Sequence, residues 1–257
     1  MKRYFLLMLC ILCTYHLFSQ SVYAWDFKKD LIIGSTALGL PIASFFIDVS
    51  SNSASMHDSF QKKNVNAFDR GLMFAYNKPV DISSDVMLYA LMAAPLISLA
   101  GNSKDANAWA TYGIMYAEAF LLVCGTFEVI KNSVLRYRPY CYFGSIPSGK
   151  ESSYFESLPS GHTAIAFMSA GFLTSTFLTE YPDSHWKIPV SAIAYTLAAG
   201  VGAGRIFSGN HFMTDVLAGA AIGSLYGWLI PVLHIPAKNN NVTIQPVVNG
   251  IIVKVSF

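Results

Sequence analysis

The sequence predicts an all-α protein, a six-helix bundle embedded in a membrane with a short β-hairpin-like tail at its C-terminus. Three observations predict it. Six long apolar segments, at about 31–47, 86–103, 107–130, 163–179, 188–203 and 216–235, are separated by polar links. Hydrophobic residues form 53% of the 257-residue chain, charged residues only 12%, and mean hydropathy is +0.43. An ordinary soluble domain carries roughly 25% charge. Small residues recur along the apolar segments, as in Ala164, Ala166, Ala170, Gly171 and Ala218, Gly219, Ala220, Gly223. Such surfaces let helix backbones approach closely, in bilayers and in tight soluble bundles alike.

The N-terminus reads as an export signal. Lys2 and Arg3 precede an apolar run from Tyr4 to Phe18, and Val22 and Ala24 flank a cleavage position. The expected organisation is therefore a signal peptide at 1–24, a helical domain at 25–236 and a tail at 237–257. Cys10 and Cys13 leave with the signal. Cys124 and Cys141 then remain, in an apolar helix and the following loop, without a CxxC framework for a metal. Without Lys2 and Arg3 the chain carries 15 basic and 15 acidic residues, which gives nucleic acid no basic track to follow.

A hydrocarbon core requires ~17–25 apolar residues. The 216–235 segment meets this comfortably, with Trp228 near one end. The segments 31–47, 163–179 and 188–203 are marginal, and Pro41 and Pro95 interrupt 31–47 and 86–103. Glu118 and Glu128 lie in the third segment, so each should face the bundle interior or the water boundary. Glu128 also stands three residues before Lys131, a pairing distance on a helix. Six crossings after a cleaved signal would put 131–162 and 204–211 on the cytoplasmic side. Fewer crossings, or a soluble exported bundle, would not. In the tail, Asn239–Asn241 and Asn249-Gly250 punctuate two β-like runs.

Charge is scarce, yet it gathers in three links. The first is Lys131 followed by Arg136, Arg138 and Pro139; the second is Pro159-Ser160-Gly161-His162; the third runs from Arg205 through His211 to Asp215. Lys131 and Arg138 stand two helical turns apart. Ser160-Gly161-His162 opens an apolar helix, whose free N–H groups and positive dipole end favour phosphate. His211 and Asp215 are four apart, so a carboxylate can fix the imidazole tautomer and free the other nitrogen for attack. Each feature alone also has a plain reading: a solvated cation, a helix cap, a structural His–Asp pair. Arg136 reads equally as a rim residue or a solvated charge. Tyr137, Tyr140, Tyr142 and Phe143 read as a mouth lining or an aromatic boundary belt.

These three clusters together resemble the type 2 phosphatidic acid phosphatases, the PAP2 superfamily that includes bacterial class A acid phosphatases and vanadium haloperoxidases. The family pattern is Lys, six residues, Arg-Pro; then Pro-Ser-Gly-His; then Ser-Arg, five residues, His, three residues, Asp. Lys131 and Arg138-Pro139, Pro159 to His162, and Arg205, His211 and Asp215 match it. Gly204 stands where the pattern has Ser, which would loosen a supporting hydrogen bond. The resemblance implies a PAP2-like bundle and His211 as nucleophile, with Asp215 orienting it and His162 as acid and then base. Lys131, Ser160, Gly161, Arg138 and Arg205 would hold the phosphoryl oxygens. It implies no cofactor and no metal.

The expected function is hydrolysis of a lipid phosphate monoester or diphosphate through a phosphohistidine. The expected partners are that substrate and membrane lipids, with no nucleic acid and no obligate protein partner. The expected location is the inner membrane of a bacterial cell envelope, with the site facing the periplasm. The alternatives are a soluble exported acid phosphatase, a vanadium haloperoxidase, and a lipid-phosphate-binding membrane protein without turnover.

Overall fold

The structure is a computed structural model. It describes residues 22–47, 60–100, 106–144, 146–149, 153–236, 242–247 and 250–255. Residues 1–21 of the expected signal, the Asn239–Asn241 turn and Asn249 fall outside the described residues.

Seven α-helices occur among the described residues: α1 (Phe27–Ser44), α2 (Ala67–Arg70), α3 (Lys78–Ala100), α4 (Ala106–Ser133), α5 (Gly161–Glu180), α6 (Lys187–Phe207) and α7 (Met213–Leu233). The six long ones correspond to the six apolar segments. The seventh, α2, is one polar turn capped by Asn66, which accepts from the Asp69 N–H at 2.9 Å. A hydropathy reading has no window for it. Two strands, β1 (Val242–Val247) and β2 (Gly250–Val255), pair antiparallel in the tail, with Val242 opposite Val255.

Several helices begin earlier than hydrophobicity alone indicates. Asp26 caps α1 by accepting from the Lys29 N–H at 2.9 Å. The first two turns of α3 carry Asp81, Ser84 and Asp85. They are polar because they face the charged end of the bundle, not because they lie in a loop.

The long helices alternate in direction. Asn132 near the end of α4 donates to the Ser44 carbonyl at the end of α1, at 3.0 Å. Tyr112 near the start of α4 donates to Glu180 at the end of α5, at 3.0 Å. The ends of α1, α4 and α6 and the starts of α3, α5 and α7 therefore share one end of the molecule. Every charged motif from the sequence lies there.

α5 is the central helix, buried along most of its length. It lies against α7 with backbone nearly touching backbone. A Cβ on Gly219 would come within 2.5 Å of the Ser160 carbonyl oxygen, and Cβ atoms on Gly223 and Gly227 would overlap the carbonyls of Ala164 and Met168. Three glycines at a four-residue spacing thus form a groove along α7 that receives α5. Ala164, Met168 and Phe172 of α5 join Met115, Val123 and Phe127 of α4 in one core cluster. Leu88 and Leu91 of α3 join Ala166 and Ala170 of α5 and Ala198 and Val201 of α6 in another.

By length and composition α4, α6 and α7 are apolar enough to cross a membrane. Large side chains such as Ile32, Leu38, Ile188 and Ile193 face outward with more than half their surface open. Glu118 faces the interior, as its cost in lipid demands, and Glu128 pairs with Lys131 at 3.4 Å. Cys124 and Cys141 are free thiols.

Replacing Gly223 by Ala should cost about 1–3 kcal/mol, the usual range for overpacking. Gly113→Ala, on α4 with nothing within 4 Å of an added Cβ, should be neutral or stabilising. Thermal unfolding of the detergent-purified variants measures both.

Candidate active site

Six of the eight residues singled out in the sequence line one cavity of about 470 Å³: Lys131, Arg138, Gly161, His162, Arg205 and His211. They arrive from four separate parts of the chain. Lys131 is in the last turn of α4, where it is 9% exposed and lies 4.6 Å over the Phe127 ring. Arg138 does not continue that helix, which stops at Ser133. It sits on an extended stretch before the short 3₁₀ turn Pro139–Phe143. Chain reversal, not helical register, brings the two cations together.

Ser160 and Gly161 open α5. The Ser160 side chain is fully buried and caps the helix, accepting from the Thr163 N–H at 3.4 Å and bonding the Thr163 hydroxyl at 2.9 Å. Its hydroxyl is therefore committed to the fold rather than to the cavity. The Gly161 backbone does reach the cavity. A Cβ there would press on the Phe127 ring at 3.3 Å.

His211 lies just before α7 and is 2% exposed. Its Nδ1 is 2.7 Å from the Ser157 carbonyl oxygen, so Nδ1 carries the proton and Nε2 presents a lone pair. Arg138 Nη1 stands 3.2 Å from Nε2. Burial, and then the charges of Arg138, Arg205 and Lys131, hold the imidazole well below its usual pKa.

Asp215 is not the direct partner that four-residue spacing indicates: its Oδ2 is 3.8 Å from His211 Nδ1. The helix begins only at Met213, so His211 falls outside it. Asp215 instead accepts from the Ser157 hydroxyl at 2.6 Å and from the Phe212 N–H at 2.8 Å. Its effect on His211 passes through Ser157, which carries both the hydroxyl held by Asp215 and the carbonyl that holds the imidazole.

Arg136 is neither a rim residue nor a solvated charge. Its guanidinium bridges Asp215 Oδ1 at 2.5 Å and Asp69 Oδ2 at 2.6 Å, donates to Thr214 Oγ1 at 2.7 Å, and lies 4.2 Å over the Phe212 ring. The nearby aromatics mostly pack among themselves. Tyr140 is fully buried, Tyr137 stacks on Tyr154 and Tyr142 meets Phe60 and Phe212.

Several participants were invisible in the sequence. Asp81 and Asp85 on α3 receive Arg205 Nη1 at 2.5 and 3.2 Å, and Asp85 Oδ1 also lies 3.0 Å from His162 Nε2. Burial, followed by the Arg205 charge, lowers the His162 pKa to about 3. Ser153 accepts from Arg138 Nε through its carbonyl at 2.8 Å. The Arg205 Nε is buried with no hydrogen-bond partner among the described residues. A tetrahedral oxyanion in the cavity would supply that partner.

Gly204, the departure from the family pattern, also has a structural reason. A Cβ there would lie 2.8 Å from the Ser84 Cβ, and the Ser84 hydroxyl accepts from Arg205 Nη1 at 3.1 Å. A serine one helix away supplies the hydroxyl contact that the pattern places beside the arginine.

An imidazole with its lone pair facing buried cations at a helix N-terminus offers the donors that a phosphate or a similar oxyanion accepts. The chain belongs to the PAP2 superfamily, whose sequence model matches residues 110–238. A lipid A 1-phosphatase of Porphyromonas gingivalis is 32% identical over 156 residues, 60% of this chain and 30% of that protein, so the chain covers under a third of that relative's length. The crystal structure of a transmembrane PAP2 type phosphatidylglycerolphosphate phosphatase from Bacillus subtilis aligns with a TM-score of 0.45 at 23% identity, over 80% of this chain and 95% of that one.

Gly204→Ser should weaken orthovanadate binding about tenfold, the equivalent of ~1.4 kcal/mol, by pushing Ser84 off Arg205. Adding Ser84→Gly should restore most of it. Isothermal titration of the single and double variants reads the difference.

Proposed function

We propose that the protein is a membrane-embedded lipid phosphatase that cleaves a phosphate monoester or diphosphate without a metal, through a phosphohistidine on His211. One observation carries this reading. The cavity that holds the cations and both histidines is lined on its other side by Leu88, Tyr89 and Met92 of α3, Phe120 and Phe127 of α4, and Ile165 of α5. Tyr116 of α4 donates to the Met92 carbonyl of α3 at 3.1 Å, which ties the two helices that carry most of this apolar wall. A phosphate head bound at His211 would leave its apolar tail against that wall and then in lipid. Outward-facing apolar side chains around the bundle favour the membrane over a soluble exported acid phosphatase.

The reaction follows from the placement. Lys131, Arg138, Arg205 and the Gly161 N–H grip the non-bridging oxygens, whose charge must be matched as the transition state forms. The incoming phosphate displaces Asp85 as the partner of Arg205 and His162. The His211 Nε2 lone pair attacks phosphorus and the ester P–O bond breaks. His162 gives its proton to the leaving oxygen. Water then attacks the phosphohistidine, His162 takes the water proton, the N–P bond breaks and phosphate departs. Asp215 and Arg136 act through Ser157 by keeping the Nδ1 proton on the carbonyl side.

The test is phosphate release from a lipid phosphomonoester and from p-nitrophenyl phosphate, by protein in detergent with a chelator present. His211→Ala should abolish turnover, and His162→Ala should lower it by about 10²–10⁴-fold. Met92→Asp on the apolar wall should raise KM for the lipid and leave it unchanged for the small ester. Full metal-free turnover by His211→Ala would exclude the assigned nucleophile.

The pH dependence has a definite sign. Both histidines have depressed pKa values in the free enzyme, His162 at about 3 and His211 well below its usual value, so both are neutral near neutral pH. His211 is then ready to attack, but His162 lacks the proton it must donate. The substrate must bring it, as the monoanion. A phosphomonoester loses its second proton near pH ~6. The kcat/KM should therefore be flat from pH 5 to 6 and fall tenfold per unit above the second phosphate pKa. A limb rising with pH between 5 and 7 would contradict this.

A further inference from the structure

We propose that Asp30, Glu118 and His234 form a binding site for a divalent transition-metal ion, zinc by its chemistry. The site ties α1, α4 and the end of α7 together at the end of the bundle opposite the catalytic cavity. The three residues are far apart in sequence, and their ligand atoms all lie within 4.8 Å of one another. They are 7%, 6% and 0% exposed respectively.

The hydrogen-bond pattern suits a cation at this point. His234 Nδ1 is 2.8 Å from the Ile230 carbonyl and donates to it, which leaves a lone pair on Nε2. That lone pair is 2.8 Å from Asp30 Oδ1 and 3.5 Å from Glu118 Oε2. None of these three buried atoms completes a hydrogen bond among the described residues. Three lone pairs converge where water does not reach, an arrangement that is costly unless something positive sits between them.

The outer contacts are those that orient metal ligands. The Ile230 carbonyl fixes the tautomer of His234, and the Asp26 N–H donates to Asp30 Oδ2 at 2.7 Å, turning Oδ1 inward. The neighbouring Lys29 ammonium is held at 2.8 Å by the Leu233 carbonyl, on the rim of the cluster.

One imidazole and two carboxylates suit zinc, manganese or iron(II), and the affinity order for such donors places zinc above the other two. Magnesium is disfavoured, since it prefers all-oxygen shells and keeps several waters. The 21-residue helix α7 separates His234 from His211 by ~30 Å at 1.5 Å per residue. The ion therefore takes no part in phosphate chemistry. Its effect is on folding, because it joins three elements that the chain brings together only in the native state.

The test uses the full chain in detergent, stripped with a chelator, exposed to zinc sulfate alone and desalted. Elemental analysis should find one equivalent of zinc, with a raised melting temperature. His211→Ala should retain that equivalent, whereas His234→Ala and Glu118→Gln should retain none. Should those two variants fail to fold, cobalt(II) loaded into the wild-type protein decides the matter. A visible d–d band that disappears on adding zinc supports the site. Wild-type protein that holds under a tenth of an equivalent, equal retention by folded His234→Ala and Glu118→Gln, or no such cobalt band overturns the proposal. The cluster would then be neutralised by a shared proton.

Discussion

The near-contact of the α5 and α7 backbones is the constraint on which the rest depends. Gly219, Gly223 and Gly227 leave a stripe without side chains along the face of α7 that meets α5. The two helices can then start almost at the same point, and the Ser160 N–H donates to the Asp215 carbonyl at 3.0 Å. That places the N-terminus carrying Gly161 and His162 beside the segment carrying His211. Ordinary helix packing, at 8–10 Å between axes, would hold the two motifs farther apart. Chemistry at one end of the bundle is thus set by small residues along its length.

The second constraint is electrostatic. Buried cations are costly unless they are paired. Here the pairing is unequal. Arg136 is enclosed by Asp69 and Asp215, and Arg205 meets Asp81 and Asp85, while Lys131 has Glu128 at 3.4 Å. Arg138 is held by the carbonyls of Ser153 and Asn210. Carbonyl dipoles orient a guanidinium but do not cancel its charge. The uncompensated charge is therefore concentrated beside His211 Nε2, where an oxyanion would relieve it.

Much of the candidate site could be read along the chain, because its residues fall in three short patterns. Lys131, Arg138, Gly161, His162, Arg205 and His211 line one cavity. The errors have physical causes. A four-residue spacing promised an Asp215–His211 hydrogen bond, but the helix starts after His211, so the geometry of the spacing does not apply. Arg136 reads as a rim residue or a solvated charge because its partners Asp69 and Thr214 lie far away in sequence. Asp81, Ser84 and Asp85 were absent because a helix turn built of polar residues looks like a loop until its charged neighbours are known. The six long helices were legible from hydropathy, whereas the four-residue α2 was not. Its role, presenting Asp69 to Arg136 and Thr214, is defined only by tertiary contacts.

The stretch from Ser153 to Ser157 has a consequence of its own. It is stitched to the 136–138 strand by the Phe155, Tyr154 and Arg136 carbonyls. Its Ser153 carbonyl steadies Arg138, its Ser157 carbonyl sets the His211 tautomer, and the Ser157 hydroxyl anchors the Asp215 carboxylate beneath. Five residues thus act as a keystone. A nick or a displacement there would release Arg138, His211 and Asp215 in a single event while leaving the helices standing.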